Sequence, residues 1–208
     1  LLLRPFRHEL GGELTPDVIA IDSGGHFTSE VYAYTRDRRK KGVIAIKGAS
    51  VKNKPPIGKG NLLDLNWKGR TIKKGAELFT VGTDTIKTTL FSRLRHNDEG
   101  AGYLHFNINA DEEYFKQLTA EKQVIRYVKG FPVREWIKKS SARNEALDVL
   151  VYAYAGLHRL YQKKDRRTIW DNYEERGQIK GKIRENKDNI TNIRQRSKAK
   201  KSKFVTQW

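Results

Sequence analysis

Four apolar residues, Val18-Ile19-Ala20-Ile21, run without a break into Asp22, and the chain then turns on Ser23-Gly24-Gly25. A short continuous apolar run bounded by a glycine turn reads as a buried β-strand. A carboxylate therefore stands where the backbone has just left the core. Either Asp22 caps the turn by accepting backbone N–H groups, or it meets something at the rim of a sheet. Gly24 and Gly25 favour the second reading slightly, because glycines let a backbone or a ligand approach closely.

The rest of the chain alternates strand and helix signals. Residues 29–36 (SEVYAYTR) read as a second strand and 42–47 (GVIAIK) as a third, joined by a charged turn, so an antiparallel meander is expected. Residues 48–60 hold glycines, Pro55-Pro56 and three lysines with no period, which predicts a mobile loop. Residues 62–66, 71–73 and 76–81 suggest short strands, with turns at 67–70 and at Lys74-Gly75. Ile86, Leu90 and Leu94 recur every four residues and predict a helix over 83–94. A strand is expected at 103–106. A capping box at 109–112 opens a helix to about Thr119. Two strands, 124–128 and 133–137, flank the turn at Lys129-Gly130. Ser140 or Ser141 is expected to cap a long helix running to Lys163. The fold class is α/β, a mixed central sheet flanked by helices. The expected division is a folded domain over 1–163 and a basic tail over 164–208, partly helical or disordered.

Charge narrows the partner. The net charge is +18, and residues 162–208, with fifteen Lys/Arg against six Asp/Glu, supply half of it. An excess on both parts points to a polyanion, most simply nucleic acid. The chain has no cysteine, which excludes disulfides, thiolate zinc sites and cysteine nucleophiles. It has no methionine either, which suggests a piece of a longer chain. No run of about eighteen apolar residues is present, so no membrane span is expected. Leu1-Leu2-Leu3 is too short for a signal peptide.

Three carboxylates are candidates for chemistry. Asp22 ends the first strand. Asp84 repeats the pattern after the apolar residues 78–81, although a carboxylate there also complements a helix dipole. Asp148 lies inside ALDVLVYAYAGL, in what should be a buried helix face, where an unpaired carboxylate is costly. Helical spacing places Glu145, Asp148 and Tyr152 on one stripe. A salt bridge from Asp148 to Arg143 or to a distant lysine is the structural alternative. If two strand-end acids and one helix acid converge, their hard oxygens suit Mg²⁺ or Mn²⁺. Two such ions would serve phosphodiester hydrolysis.

The order strand–Asp, hairpin strands, strand–Asp, helix–Asp resembles the RNase H-like nuclease fold. The blocks IDSGGHFTSEVYAY, LFTVGTDTIK, GFPVREWIKK and RNEALDVLVYAYAGL resemble the large subunit of tailed-phage terminases, the branch typified by phage lambda, and cover most of residues 17–157. That family joins an N-terminal packaging ATPase to a C-terminal endonuclease. No GxxxxGK[ST] phosphate loop is present, and Gly58-Lys59-Gly60 does not qualify, so the resemblance is to the nuclease half. It implies an endodeoxyribonuclease with two divalent ions, Mg²⁺ or Mn²⁺, held by Asp22, Asp84 and Asp148; Glu145, on the same helical stripe as Asp148, is a further candidate ligand from its spacing. Asp64 and Asp98 are rivals to Asp84. It implies double-stranded DNA as substrate and, in the longer protein, an ATPase domain, a terminase small subunit and a procapsid portal as partners. The expected location is the cytoplasm of the infected bacterial host, with no membrane partner. Candidate DNA contacts are His26, Lys47, Lys52, Lys54, Lys59 and Lys87. His26 is otherwise a surface turn residue, and Lys87 is otherwise a partner of Asp84. Another RNase H-like enzyme, of resolvase or integrase type, and a non-catalytic nucleic-acid-binding module are the competing readings.

Overall fold

The computed structural model describes residues 4–7 and 13–175; the basic run at 197–203, with the rest of the tail past 175, lies outside the described residues. The chain divides into two compact units, one of Val18–Gln162 and one of Leu1–Asp17 with Lys163–Trp208. In the latter, β1 (Phe6–Arg7) pairs antiparallel with β2 (Glu13–Leu14), and Lys164 donates to Asp17 at 3.2 Å.

The unit Val18–Gln162 is built on a four-stranded mixed sheet. Its strands are β3 (Ile19–Asp22), β4 (Val43–Gly48), β5 (Gly60–Trp67) and β6 (Arg70–Val81), in the spatial order β3-β4-β6-β5. β3, β4 and β6 run parallel, and β5 is antiparallel to β6. The expected meander is therefore wrong. Parallel neighbours need a crossover connection, and residues 29–36 supply it as part of helix α1 (Thr28–Arg38) instead of forming a strand. Val31 through Tyr34 are all apolar or aromatic, so the run has no clean period of two. The ends decide the matter. The Thr28 hydroxyl donates to the carbonyls of Ser23 and Gly25 at 2.8 and 3.0 Å, and Val31 N–H bonds back to Phe27. Glu30 in the first turn and Arg36 and Arg38 in the last complement the helix dipole. Gly42, at φ +80°, then admits the sharp entry into β4.

β5 and β6 are joined by Lys68 and Gly69, both at positive φ, the two-residue turn whose twist matches the flanking strands. Lys74-Gly75 is not a turn. β6 continues through it, with a register irregularity between Leu63 and Leu65 on the partner strand, so the two short strands expected there are one. Residues 103–106 form no strand; Leu104 and Phe106 pack, half-buried, against the core.

One face of the sheet carries Ile44 and Ile46 from β4 and Phe79 and Val81 from β6, at the period of two that puts alternate residues on one side. Against them pack Ile86 and Leu90 of α2 (Thr83–Arg93), Leu118 of α3 (Glu112–Leu118), and Leu147, Val151 and Ala155 of α4 (Glu145–Lys163). The spacing 147, 151, 155 is one helical stripe. Each of these large side chains contributes about 1.5–3 kcal/mol by leaving water. α1 covers the opposite face, where Thr35 is buried near Val43 and Ala45. The Asp111 side chain caps α3 by accepting from Tyr114 N–H at 2.8 Å. α4 begins at Glu145, after a turn that contains Ser140 and Ser141, so neither serine is its cap. A separate hairpin, β7 (Glu121–Val128) and β8 (Phe131–Lys138), turns on Lys129 and Gly130, both at positive φ.

The lysine-bearing segment 48–60 is pinned, contrary to expectation. Ile57 is buried in the core. Gly58 N–H bonds to Thr80 O, Gly82 N–H to Pro55 O, the Thr85 hydroxyl to Lys54 O, and Asn53 N–H to the Asp84 carboxylate. A Cβ at Gly82 would run into the carbonyls of Lys54 and Pro55, so a glycine is required where this segment crosses the start of α2.

Candidate active site

Because β3, β4 and β6 are parallel, their C-terminal ends share one edge of the sheet, the edge at which open α/β sheets place ligands. Asp22 ends β3, Gly48 ends β4, and Val81 leads through Gly82 to α2. α4 reaches the same edge with Asp148 and Tyr152. Gly48 permits this approach: a Cβ there would lie 3.3 Å from the Thr83 methyl and 3.9 Å from the Tyr152 hydroxyl.

The Asp22 carboxylate is exposed and accepts Gly24 N–H at 2.9 Å, the turn-capping contact expected of an Asp in that place. It does more than cap. Burial, then the negative charges of Asp22 and Asp148, push the Tyr152 phenol up to about 12. Tyr152 thus keeps its proton at any neutral pH and stands beside Asp22 as a hydrogen-bond donor. Asp148 is also raised above the usual carboxylate range. Burial is the main cause; Lys87 opposes it, and the negative charges of Glu121, Asp22 and Glu145 add to it.

The third acid at this place is Glu121, the first residue of β7, which the sequence reading did not single out. Its side chain is 7% exposed. Both of its oxygens lie 2.8 Å from Lys87 Nζ, and Asn144 Nδ2 donates to Oε1 at 2.8 Å. The same Asn144 amide donates to Asp148 Oδ2 at 3.1 Å, and Lys87 Nζ is 3.9 Å from Asp148 Oδ1. Lys87 and Asn144 thus tie Glu121 to Asp148 across α2, β7 and α4. The signal available in the sequence was a third acid at a strand terminus, Thr119-Ala120-Glu121 after a capped helix.

The remaining candidates are placed as follows. Asp84 is half-buried in the first turn of α2. Its Oδ2 accepts Asn53 N–H at 2.8 Å, it faces the segment 48–60, and it is not among the charges that act on Asp148. Lys87 pairs with Glu121 and Asp148, not with Asp84. Glu145 is exposed beside Arg143 at 3.3 Å, and its carboxyl is held below the usual range, first by its own backbone N–H at the start of α4 and then, more weakly, by Arg143. Arg143 therefore partners Glu145 and leaves Asp148 alone. Asp64 lies on the β5–β6 hairpin, where Lys74 N–H and then the Lys73 ammonium hold its carboxyl low. Asp98 is exposed after α2. His26 is exposed in the turn after Asp22, and Lys47, Lys54 and Lys59 are exposed; Lys52 donates to Arg134 O at 2.9 Å.

Among the described residues, no three His, Cys, Asp or Glu side chains converge tightly enough to enclose a metal ion. Asp22 and Asp148 still form an oxygen-only donor pair whose mutual repulsion a cation would relieve, and such donors suit Mg²⁺ or Mn²⁺.

The raised Asp148, held up first by burial and then by its acidic neighbours, has a measurable consequence. An acid raised in the folded state binds its proton more tightly there than in the unfolded chain. Its ionisation therefore costs stability as pH rises from the unfolded value, about 3.9, through the raised one. Asp148→Asn removes this penalty. In chelator at pH 7 the variant is expected to be more stable than the parent by less than about 1 kcal/mol, a figure discounted because the carboxylate is half-exposed. Thermal melts should show the gain disappear below about pH 4.

A mixed sheet flanked by helices, with carboxylates at the C-terminal edge of its parallel strands, is consistent with the RNase H-like nuclease fold. A family model described as the terminase large subunit gpA, endonuclease domain, matches residues 1–170, and the chain belongs to that family. It is 35% identical over 163 residues to the terminase large subunit of Enterobacteria phage P21, which spans 74% of this chain and 24% of that protein. It is 36% identical over 154 residues to the terminase large subunit of Escherichia phage lambda, 71% of this chain and 23% of that protein. The chain thus spans about a quarter of the length of these relatives. No solved structure matches it.

Proposed function

We propose that the chain is a metal-dependent DNA endonuclease that cuts concatemeric phage DNA by two-metal phosphodiester hydrolysis, with residues 1–163 as its endonuclease domain. The observation that carries this reading is the meeting of Asp22 and Asp148, whose charges both act on Tyr152 between them, at the strand edge of a terminase endonuclease domain.

In this reading Asp22 and Asp148 hold the metal. Tyr152 orients Asp22 from one side, and Asn144 orients Asp148 from the other. Glu121 is the third acid in preference to Asp84, because it shares Asn144 and Lys87 with Asp148 whereas the Asp84 carboxylate is engaged by Asn53 N–H. Bound divalent ions would supply an activated water and charge stabilisation at the reacting phosphate. Lys87, held between the acids, limits their net negative charge and so eases the approach of a phosphate. His26 and the lysines at 47, 52, 54 and 59 belong to the surrounding surface that meets the DNA backbone, and their part in binding rests on this reading.

The likeness to terminase large subunits supports double-stranded phage DNA as the proposed substrate, in the infected bacterial cytoplasm, with an ATPase domain, a small subunit and a portal as proposed partners of the longer protein. No helix of the described residues is long and apolar enough to cross a membrane. The test is plasmid nicking by the purified chain. Mg²⁺ or Mn²⁺ should support cutting with little sequence preference, and chelator should stop it. Chelator-insensitive binding without cleavage would assign a non-catalytic module. Strong site-specific cutting would assign a resolvase-type enzyme.

A further inference from the structure

The β7–β8 hairpin is anchored at one end and exposed at the other. At its base, Glu121 sits in the acid cluster, Trp136 packs on Phe91 of α2 with ring centroids 4.7 Å apart, and Lys52 donates to Arg134 O at 2.9 Å. At its tip, the two-residue turn Lys129-Gly130 keeps the end no wider than two strands. Tyr127, Val128 and Phe131 all face water there, Tyr127 at 75% and Phe131 at 73% exposure. Apolar groups gathered on an exposed end mark a place of interaction.

Two features identify the occupant. Directly opposed residues of an antiparallel ladder share a face, and neighbours along a strand do not. The pair Tyr127↔Pro132 therefore lies on one face of the hairpin and Val128↔Phe131 on the other. A sheet that docks on a protein presents one apolar face. This tip is apolar on both, the form of a wedge that enters between two apolar surfaces, and stacked base pairs are such surfaces. The second feature is charge. Residues 121–138 hold five Lys/Arg and two Asp/Glu, and both acids are already paired, Glu121 with Lys87 and Glu135 with Arg126 at 3.0 Å. A basic collar behind an apolar tip complements a polyanion whose apolar groups lie inside it.

We propose that the hairpin tip is an intercalating wedge: Phe131 and Tyr127 enter the base stack of the duplex near the cut and kink it. The proposal rests on the endonuclease reading and adds to it a contact with bases, where the surface lysines meet only the backbone. β7 is eight residues long, about 25 Å at roughly 3.3 Å per residue. The kinked step therefore falls within about eight base pairs of the acid cluster, at about 3.4 Å per step. Every base offers a π face, so the contact carries little sequence preference. The anchored base of the hairpin is what lets the tip push against the stack.

The experiment mixes the full chain, in chelator, with a short duplex that carries a donor dye at one end and an acceptor at the other. Energy transfer and affinity are read across a salt series. The parent should raise the transfer, since a kink of about 20–90° brings the ends together. It should also bind a duplex with a central mismatch more tightly than a fully paired one, because a mismatched step is easier to unstack. The double variant Tyr127→Ala/Phe131→Ala should lose the rise in transfer and the mismatch preference, and bind the paired duplex about fivefold or more weakly. Its salt slope should stay parental, since no phosphate contact is removed, and so should its Tm, since both rings are exposed. A parent that binds the duplex without a rise in transfer, or a double variant that keeps the rise and the mismatch preference, would overturn the wedge. So would a lower salt slope in the variant, which would make the tip a backbone contact. If the tip instead joins two copies of this chain, sedimentation without DNA will show a dimer in the parent alone, and the wedge is wrong. A parent chain that binds no duplex at all would instead sink the endonuclease reading, so the two failures are distinguishable.

Discussion

Lys87→Ala is expected to destabilise the Val18–Gln162 unit by about 3–5 kcal/mol, the cost of leaving one partner of a buried ion pair uncompensated. Few contacts in the unit are so one-sided. The Lys87 and Glu121 side chains are 12% and 7% exposed, and the ammonium lies 2.8 Å from both glutamate oxygens. Without it, Glu121 keeps a single neutral donor, Asn144, and faces Asp148 across that amide. A loss of this size should lower Tm on the order of 10 °C in a chain of this length, measured by far-UV circular dichroism in chelator. The double variant Lys87→Ala/Glu121→Gln should recover most of the loss, because the uncompensated charge is gone. A single variant within about 0.5 kcal/mol of the parent, the usual range for a surface change, would show that the pair is open to solvent and that Lys87 does not organise the acids.

The same ion pair explains what the sequence could and could not disclose. Asp22 and Asp148 stood out in the sequence because each breaks a local rule: one sits at the end of an apolar strand, the other inside an apolar run that reads as helix, where the structure sets it half-exposed beside the buried stripe. The helices at 83–94 and 112–118 and the turn at Lys129-Gly130 were legible because caps, periods and turn residues are local. Glu121 was not. Nothing within ten residues of it records that Lys87, thirty-four positions earlier, is its partner. The helix at Thr28–Arg38 was missed for the opposite reason. Its local pattern is ambiguous, and only the parallel pairing of β3 with β4 requires a crossover there. The segment 48–60 looked mobile because its polar composition hides one anchoring residue, Ile57, and a set of backbone hydrogen bonds to β6 and α2. Family blocks spread over most of the chain pointed to the nuclease class without any of this geometry, but they did not single out Glu121 as a neighbour of Asp148.

Asp22→Asn is expected to abolish metal-dependent nicking while leaving the unit folded. Asp22 is exposed, and its one backbone contact, from Gly24 N–H, can be accepted equally by an asparagine carbonyl. Stability should therefore change little. The charge, however, is lost where it matters. In the proposed mechanism the Asp22 and Asp148 carboxylates together bind the cation, and a ligand that stabilises transition-state charge supplies several kcal/mol, which is on the order of a thousandfold in rate. A second readout does not depend on activity. The negative charge of Asp22 is the largest cause, after burial, of the raised Tyr152 phenol. Asp22→Asn should consequently bring Tyr152 down from about 12 towards the ordinary tyrosine range, visible in an ultraviolet titration of the folded protein in chelator. If the phenol moves and nicking stops, Asp22 stands beside Tyr152 as described and is needed for the reaction. If the phenol moves but nicking continues at the parental rate, the geometry is right and the assignment of Asp22 as a metal ligand is wrong. If neither changes, Asp22 is no more than the cap of its own turn.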